Sequence, residues 1–249
     1  MRTAEVIVHV DAAALAEAIA ARLVTRLVDV QSQGSTASVV LTGGGVGTNV
    51  LREIAASPAR NSVDWRGVDV WWGDDRYVPA DDDERNEKGA REALLDALPL
   101  DPARVHAMAA SDAGFANPED AAAAYAAELG DWPAFDVVLL GMGPDGHVAS
   151  LFPEHPALHE TDTSAVAVHG SPKPPPIRIS LTFPALNSAR EVWFLVAGAE
   201  KAGAVRLALE GAGRTQIPAT GVTGTNRTLW LIDQAAAAEL PAGLARRSS

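Results

Sequence analysis

Short β-branched runs alternate with alanine-rich stretches of helical period along this chain, and that alternation commits it to strands that return through helices into a largely parallel sheet. Strands are expected at residues 5–10, 38–42, 68–72, 105–108, 136–142, 164–168, 178–181, 191–196 and 228–232. Asp11 stands where a helix cap belongs, ahead of residues 12–30, in which Leu15, Ile19, Leu23 and Leu27 recur along one face. Further helices are expected from Val50, at 86–98, at 118–129 and at 200–210. The run Ser171-Pro-Lys-Pro-Pro-Pro176 is poor in backbone donors and holds the chain extended, as a surface loop. Both of its flanks are strand-like, so residues 1–249 are expected as a single α/β domain.

Charge and composition narrow what such a fold can bind. The 249 residues carry 20 Lys+Arg against 32 Asp+Glu, a net charge of −12, so there is no general footprint for nucleic acid or an anionic membrane. An anionic ligand must therefore meet a local basic site. The absence of cysteine excludes disulfides, thiolate metal sites and thiol nucleophiles. The apolar run at residues 6–10 is too short for a signal sequence or a membrane span, and a cytoplasmic location is expected. The chain holds no G-x-S-x-G elbow and no H-E-x-x-H, which argues against an α/β-hydrolase or a zinc peptidase.

Chemistry concentrates at the ends of the expected strands. Leu41-Thr-Gly-Gly-Gly-Val-Gly-Thr-Asn49 follows a strand and opens a helix, where the amides of Gly43, Gly44 and Gly45 and the hydroxyls of Thr42 and Thr48 suit a phosphate. A tight turn needing positive φ is the alternative, and neither the dinucleotide nor the Walker pattern is satisfied. Trp72-Gly-Asp-Asp-Arg-Tyr-Val-Pro79 offers Arg76 as a phosphate fork, steadied by Asp74 or Asp75, or else a surface ion pair. In Gly141-Met-Gly-Pro-Asp-Gly-His-Val-Ala-Ser-Leu-Phe-Pro153 a glycine-rich turn presents His147 at a strand end, with Asp145 placed to orient it. This is where parallel sheets bind ligands, and imidazole is the commonest general base. Arg178 and Lys201 open a strand and a helix, and Lys201 at a helix N-terminus invites an anion. Pro156 interrupts the turn that would align His155 with His159, which argues against a zinc pair.

With Thr42–Gly47, 72–79 and 141–153, the segment Arg178-Ile-Ser-Leu-Thr182 and Lys201 in this order, the chain resembles the 6-phosphogluconolactonase family over nearly its whole length. The resemblance implies a Rossmann-like three-layer sandwich with a mostly parallel sheet, related to glucosamine-6-phosphate deaminase and ribose-5-phosphate isomerase. It implies hydrolysis of 6-phospho-D-glucono-1,5-lactone in the oxidative pentose phosphate pathway, with no metal or organic cofactor. The partner implied is that small sugar-phosphate lactone, met by a monomer or weak homo-oligomer. His147 would be the general base. Arg76, Arg178 and Lys201, with the Gly43–Gly45 amides, would hold phosphate, and Asp74 and Asp145 would line the sugar pocket. The acidic pair is Asp74-Asp75 where the family more often has Asp-Glu. Two other readings share these residues. A deaminase-like isomerase would use Asp74 as a proton shuttle, but Arg76 stands where deaminases carry Tyr. A non-catalytic sugar-phosphate sensor would have no use for His147.

Overall fold

The computed structural model describes residues 4–130, 134–241 and 246–247; residues 1–3 of the amino-terminal run, and so part of the expected 1–249 domain, lie outside them. In chain order the elements are β1 (Glu5–His9), α1 (Ala12–Ser32), β2 (Ala37–Leu41), α2 (Gly44–Ala56), β3 (Val68–Trp72), β4 (Asp74–Arg76), α3 (Asn86–Ala93), β5 (Val105–His106) and α4 (Pro118–Leu129). They continue with β6 (Val137–Gly141), β7 (Ala165–Val168), β8 (Arg178–Leu181), α5 (Phe183–Asn187), β9 (Glu191–Val196), α6 (Ala202–Leu209), β10 (Arg227–Asp233) and β11 (Arg246–Arg247). Eight strands form one sheet in the order β11-β1-β10-β9-β6-β2-β3-β5, and every pairing in it is parallel. A second, antiparallel sheet runs β4-β8-β7.

Both faces of the large sheet are apolar, as a parallel sheet covered on two sides requires. Val39, Leu41, Trp72 and Leu139 pack on one side with the buried stripe of α1 and with α2. Val40, Trp71, Val138 and Leu140 pack on the other with α4, β8 and α6. The result is the three-layer α/β arrangement expected. α1 starts where Asp11 accepts the Ala14 N–H at 2.9 Å, and α4 where Asn117 accepts that of Asp120 at 2.8 Å. Among the described residues no helix is long and apolar enough to cross a membrane.

The structure departs from the sequence expectations in several places. α2 begins at Gly44 rather than Val50, because Gly47 lets the helix lie against the end of β2: a Cβ there would run into the Thr42 carbonyl. α3 stops at Ala93, β5 at His106, and α6 starts after a 3-10 turn at Ala199–Lys201. β4 and α5 were not foreseen at all; β4 matters most, since through it the chain leaves the large sheet at Gly73 and enters the small one.

Candidate active site

From β2 the chain works outward to β3 and β5, and from β6 it works outward the other way to β9 and β10. The loops leaving β2 and β6 therefore diverge and open a crevice at the carboxyl ends of the strands. A cavity of about 190 Å³ lies there, walled by Gly43–Gly45 on one side and by Gly143 and His147 on the other. Thr42 ties the two loops together: its hydroxyl accepts the Gly141 N–H at 3.2 Å.

At the anion-binding end, α2 opens without a side-chain cap, so its first amides face the cavity with the positive end of the helix dipole behind them. Arg76 is steadied by Asn86, whose Oδ1 accepts from Nη1. Arg76 also lies directly opposite Arg178 in the β4–β8 pairing. Two guanidiniums in register repel, and burial, together with Arg76, holds the Arg178 pKa below its ordinary value against the pull of Asp74. Lys201 follows β9 into the same cavity. Burial lowers its pKa, and nearby Lys173 pushes the same way. Four cations thus converge on one cavity in a chain of net charge −12, a grouping that an anion would stabilise.

The two adjacent carboxylates of β4 point to opposite faces, as a strand requires. Asp74 faces the cavity. Its Oδ2 accepts from the Ser150 hydroxyl at 2.7 Å, the Asn86 amide donates to its Oδ1 at 3.3 Å, and Arg178 Nη1 lies 4.0 Å away. Asp75 faces inward. It accepts the N–H groups of Arg76 at 2.8 Å, Asn86 at 2.7 Å and Glu87 at 3.1 Å, and meets Arg85 at 3.3 Å, so it caps α3 from a neighbouring strand. Neither carboxylate grips the Arg76 guanidinium; Asn86 does that. Burial pushes the Asp75 carboxyl up to about 6, against the opposing pull of Arg85 and the three N–H donors.

At the other end, His147 Nδ1 lies 2.5 Å from Asp145 Oδ1, and its ring rests on Phe152 with centroids 4.6 Å apart. In its neutral form the ring, bonded to the carboxylate through Nδ1, carries its proton there and leaves Nε2 with a lone pair. Burial opposes ionisation of Asp145, but the hydrogen bond and charge of His147 outweigh it and bring the carboxyl down to about 2. Gly143 makes the pairing possible: a Cβ there would overlap the imidazole and the Asp145 carboxylate. Ala149 adopts φ 49°, a conformation costly for alanine, in the residue before the serine that holds Asp74.

Of the residues singled out in the sequence, Gly43, Gly44, Gly45, Asp74, Arg76, His147, Arg178 and Lys201 line this cavity. Asp145 supports His147 from behind. Thr48 is a correction: it does not line the cavity, because α2 starts early enough to place it in the second turn, past the open amides. Sequence reasoning missed Asn86, Ser150 and Lys173. The lone lysine in a proline run was the one available signal among them. Among the described residues no cluster of three or more His, Asp or Glu side chains is arranged to hold a metal.

The model of the family "Glucosamine-6-phosphate isomerases/6-phosphogluconolactonase" matches residues 10–230. A 6-phosphogluconolactonase from Streptomyces coelicolor is 57% identical over 252 residues, covering 97% of each chain. One from Mycobacterium tuberculosis is 48% identical over 93% of this chain and 96% of its own. The solved structure of a 6-phosphogluconolactonase from Trypanosoma brucei superposes with a TM-score of 0.83 at 27% identity, over 96% of this chain and 99% of its own. A monomeric glucosamine-6-phosphate deaminase shares the fold, with a TM-score of 0.79 at 19% identity over 94% and 99% of the two chains. By sequence along most of its length and by fold, the chain belongs to the glucosamine-6-phosphate isomerase/6-phosphogluconolactonase family.

Proposed function

We propose that this chain hydrolyses 6-phospho-D-glucono-1,5-lactone to 6-phosphogluconate, a step of the oxidative pentose phosphate pathway, acting in the cytoplasm as a monomer or weak homo-oligomer. The observation that carries the reading is the His147–Asp145 pair, its Nε2 open, in one cavity with four cations and an uncapped helix start. The names of the relatives support the same substrate.

The α2 amides, Arg76 and Lys201 hold the phosphate, with the charge of Arg178 behind them. That grip lies several bonds from the ester and supplies the binding energy that positions it. His147 Nε2 takes a proton from a water molecule as its oxygen bonds to C1. The tetrahedral intermediate then collapses, the bond from C1 to the ring oxygen breaks, and the imidazolium returns the proton to that oxygen. Asp145 stays ionised throughout and keeps the ring in the tautomer the first step needs. Asp74, held by Ser150, Asn86 and Arg178, accepts hydrogen bonds from sugar hydroxyls. Its three fixed partners favour this over the shuttling between C1 and C2 that an isomerase needs.

The test generates the lactone in situ from glucose 6-phosphate with its dehydrogenase and follows decay at neutral pH with and without the chain. Acceleration over spontaneous opening supports the reading; an unchanged decay rate rejects it. Solvent deuterium entering a sugar phosphate at C2 would favour the isomerase instead. In the same assay Arg76→Ala is expected to raise KM by about tenfold or more with a smaller change in kcat, and to flatten the dependence of KM on salt. A wild-type KM in the variant would remove Arg76 from the phosphate site.

A further inference from the structure

Asp74 and Arg76 are opposite charges two residues apart on β4, so they share the face of the strand that lines the cavity. The long arm of the arginine brings the carboxylate within reach. It also has reason to go there, because its Nε is buried without a partner and would gain by turning onto an anion. Yet among the described residues no ion pair joins the two; the cation beside Asp74 is Arg178, at 4.0 Å.

The side chain of Asn86 stands between them. Its Oδ1 accepts from Arg76 Nη1, and its Nδ2 donates to the Asp74 carbonyl at 2.8 Å and to Asp74 Oδ1 at 3.3 Å. A carboxamide accepts on one arm and donates on the other, so it meets a cation and an anion at once, whereas a carboxylate only accepts and a guanidinium only donates. The backbone fixes where this amide sits. Asn86 opens α3, its N–H donates to Asp75 Oδ1 at 2.7 Å, and the residue is buried. Gly43 leaves room for it at the start of α2, since a Cβ there would overlap the amide.

Resting on the lactonase reading, in which Arg76 meets the phosphate, we infer that Asn86 is a positioning residue that insulates Arg76 from Asp74. It occupies one donor of the guanidinium and one oxygen of the carboxylate with a neutral group, so the two charges do not neutralise each other. The charge of Arg76 is kept for the phosphate, and the free lone pairs of Asp74 for the sugar hydroxyls. A direct ion pair would have to open before either group could engage the substrate, and binding would weaken accordingly.

The variants Asn86→Ala and Asn86→Asp test this. In the ligand-free crystal structure of Asn86→Ala, the Arg76 guanidinium is expected at about 3 Å from the Asp74 carboxylate; a guanidinium that stays apart overturns the inference. In the lactone assay KM of this variant rises about fivefold, less than on loss of the arginine itself, and kcat stays within about threefold. In calorimetric titrations with 6-phosphogluconate, Asn86→Ala weakens binding about fivefold in the wild-type background and less than about twofold in an Asp74→Asn background, where no carboxylate remains to capture the arginine. Equal losses in both backgrounds would make Asn86 mere support for the local fold and overturn the inference. Asn86→Asp keeps the shape but sets a full negative charge on Arg76, so it weakens binding at least as much as alanine; wild-type affinity in that variant would also overturn the inference. Were lactone decay unchanged by the wild-type chain, the lactonase reading would fail, while the crystal structure of Asn86→Ala would still decide the insulation.

Discussion

Replacing His147 with alanine is expected to lower kcat by roughly 10²- to 10⁴-fold and to leave KM within about threefold, the range for loss of a general base that makes little ground-state contact. The size of the effect follows from how few alternatives the cavity holds. Asp145 is held near a pKa of about 2 and already bonded to the ring, and Asp74 is bonded to Ser150 and Asn86. Neither is free to take a proton from water at neutral pH. Initial rates against the spontaneous background, with phosphate-ester binding measured alongside, check the prediction; an unchanged kcat would remove His147 from the reaction.

The second large effect concerns stability. Asp75→Asn preserves shape but puts an NH₂ where a carboxylate oxygen now accepts from backbone N–H groups and Arg85. Either way the amide turns, donor meets donor. The Arg85 guanidinium, like Asp75 only 1% exposed in its side chain, keeps Glu87 at 3.0 Å as its remaining counter-charge. Setting donor against donor at this buried carboxylate costs about 1–3 kcal/mol, to be read from urea midpoints at pH 7; a change within about 0.5 kcal/mol would show the carboxylate to be dispensable. The pH dependence carries a second signature. Because the folded pKa of Asp75, about 6, lies above the ordinary 3.8, the native state binds a proton that the unfolded chain releases across that interval. The associated stability is complete below about pH 4 and is lost as pH rises through 6. The Asn variant lacks that slope.

Much of this architecture was legible because it is written in local chemistry. The four-residue recurrence from Leu15 to Leu27 specifies α1, and Asp11 announces its start through a side chain that satisfies an open amide. The site residues were legible as polar and glycine-rich interruptions at the ends of apolar strands. What stayed hidden depends on distant partners. β4 is three residues long, too short for a period of two to declare itself, and without it nothing says that Asp74 and Asp75 face opposite ways. The early start of α2 runs against the poor helix propensity of glycine and is set by close approach to Thr42. The run at 171–176 read correctly as donor-poor. That its carbonyls would converge on Arg178, which follows it in the chain, required the structure.

The crevice at the divergence of β2 and β6 also separates capture from chemistry along the gene. The proposed phosphate grip is encoded by the start of α2, by β4 and by the residues after β9, while the proposed proton-handling pair sits in one uninterrupted turn after β6. On the proposed reading, mutations confined to that turn would silence the reaction while leaving recognition of the phosphorylated sugar intact, so loss of turnover and loss of binding fall in separate stretches of the gene.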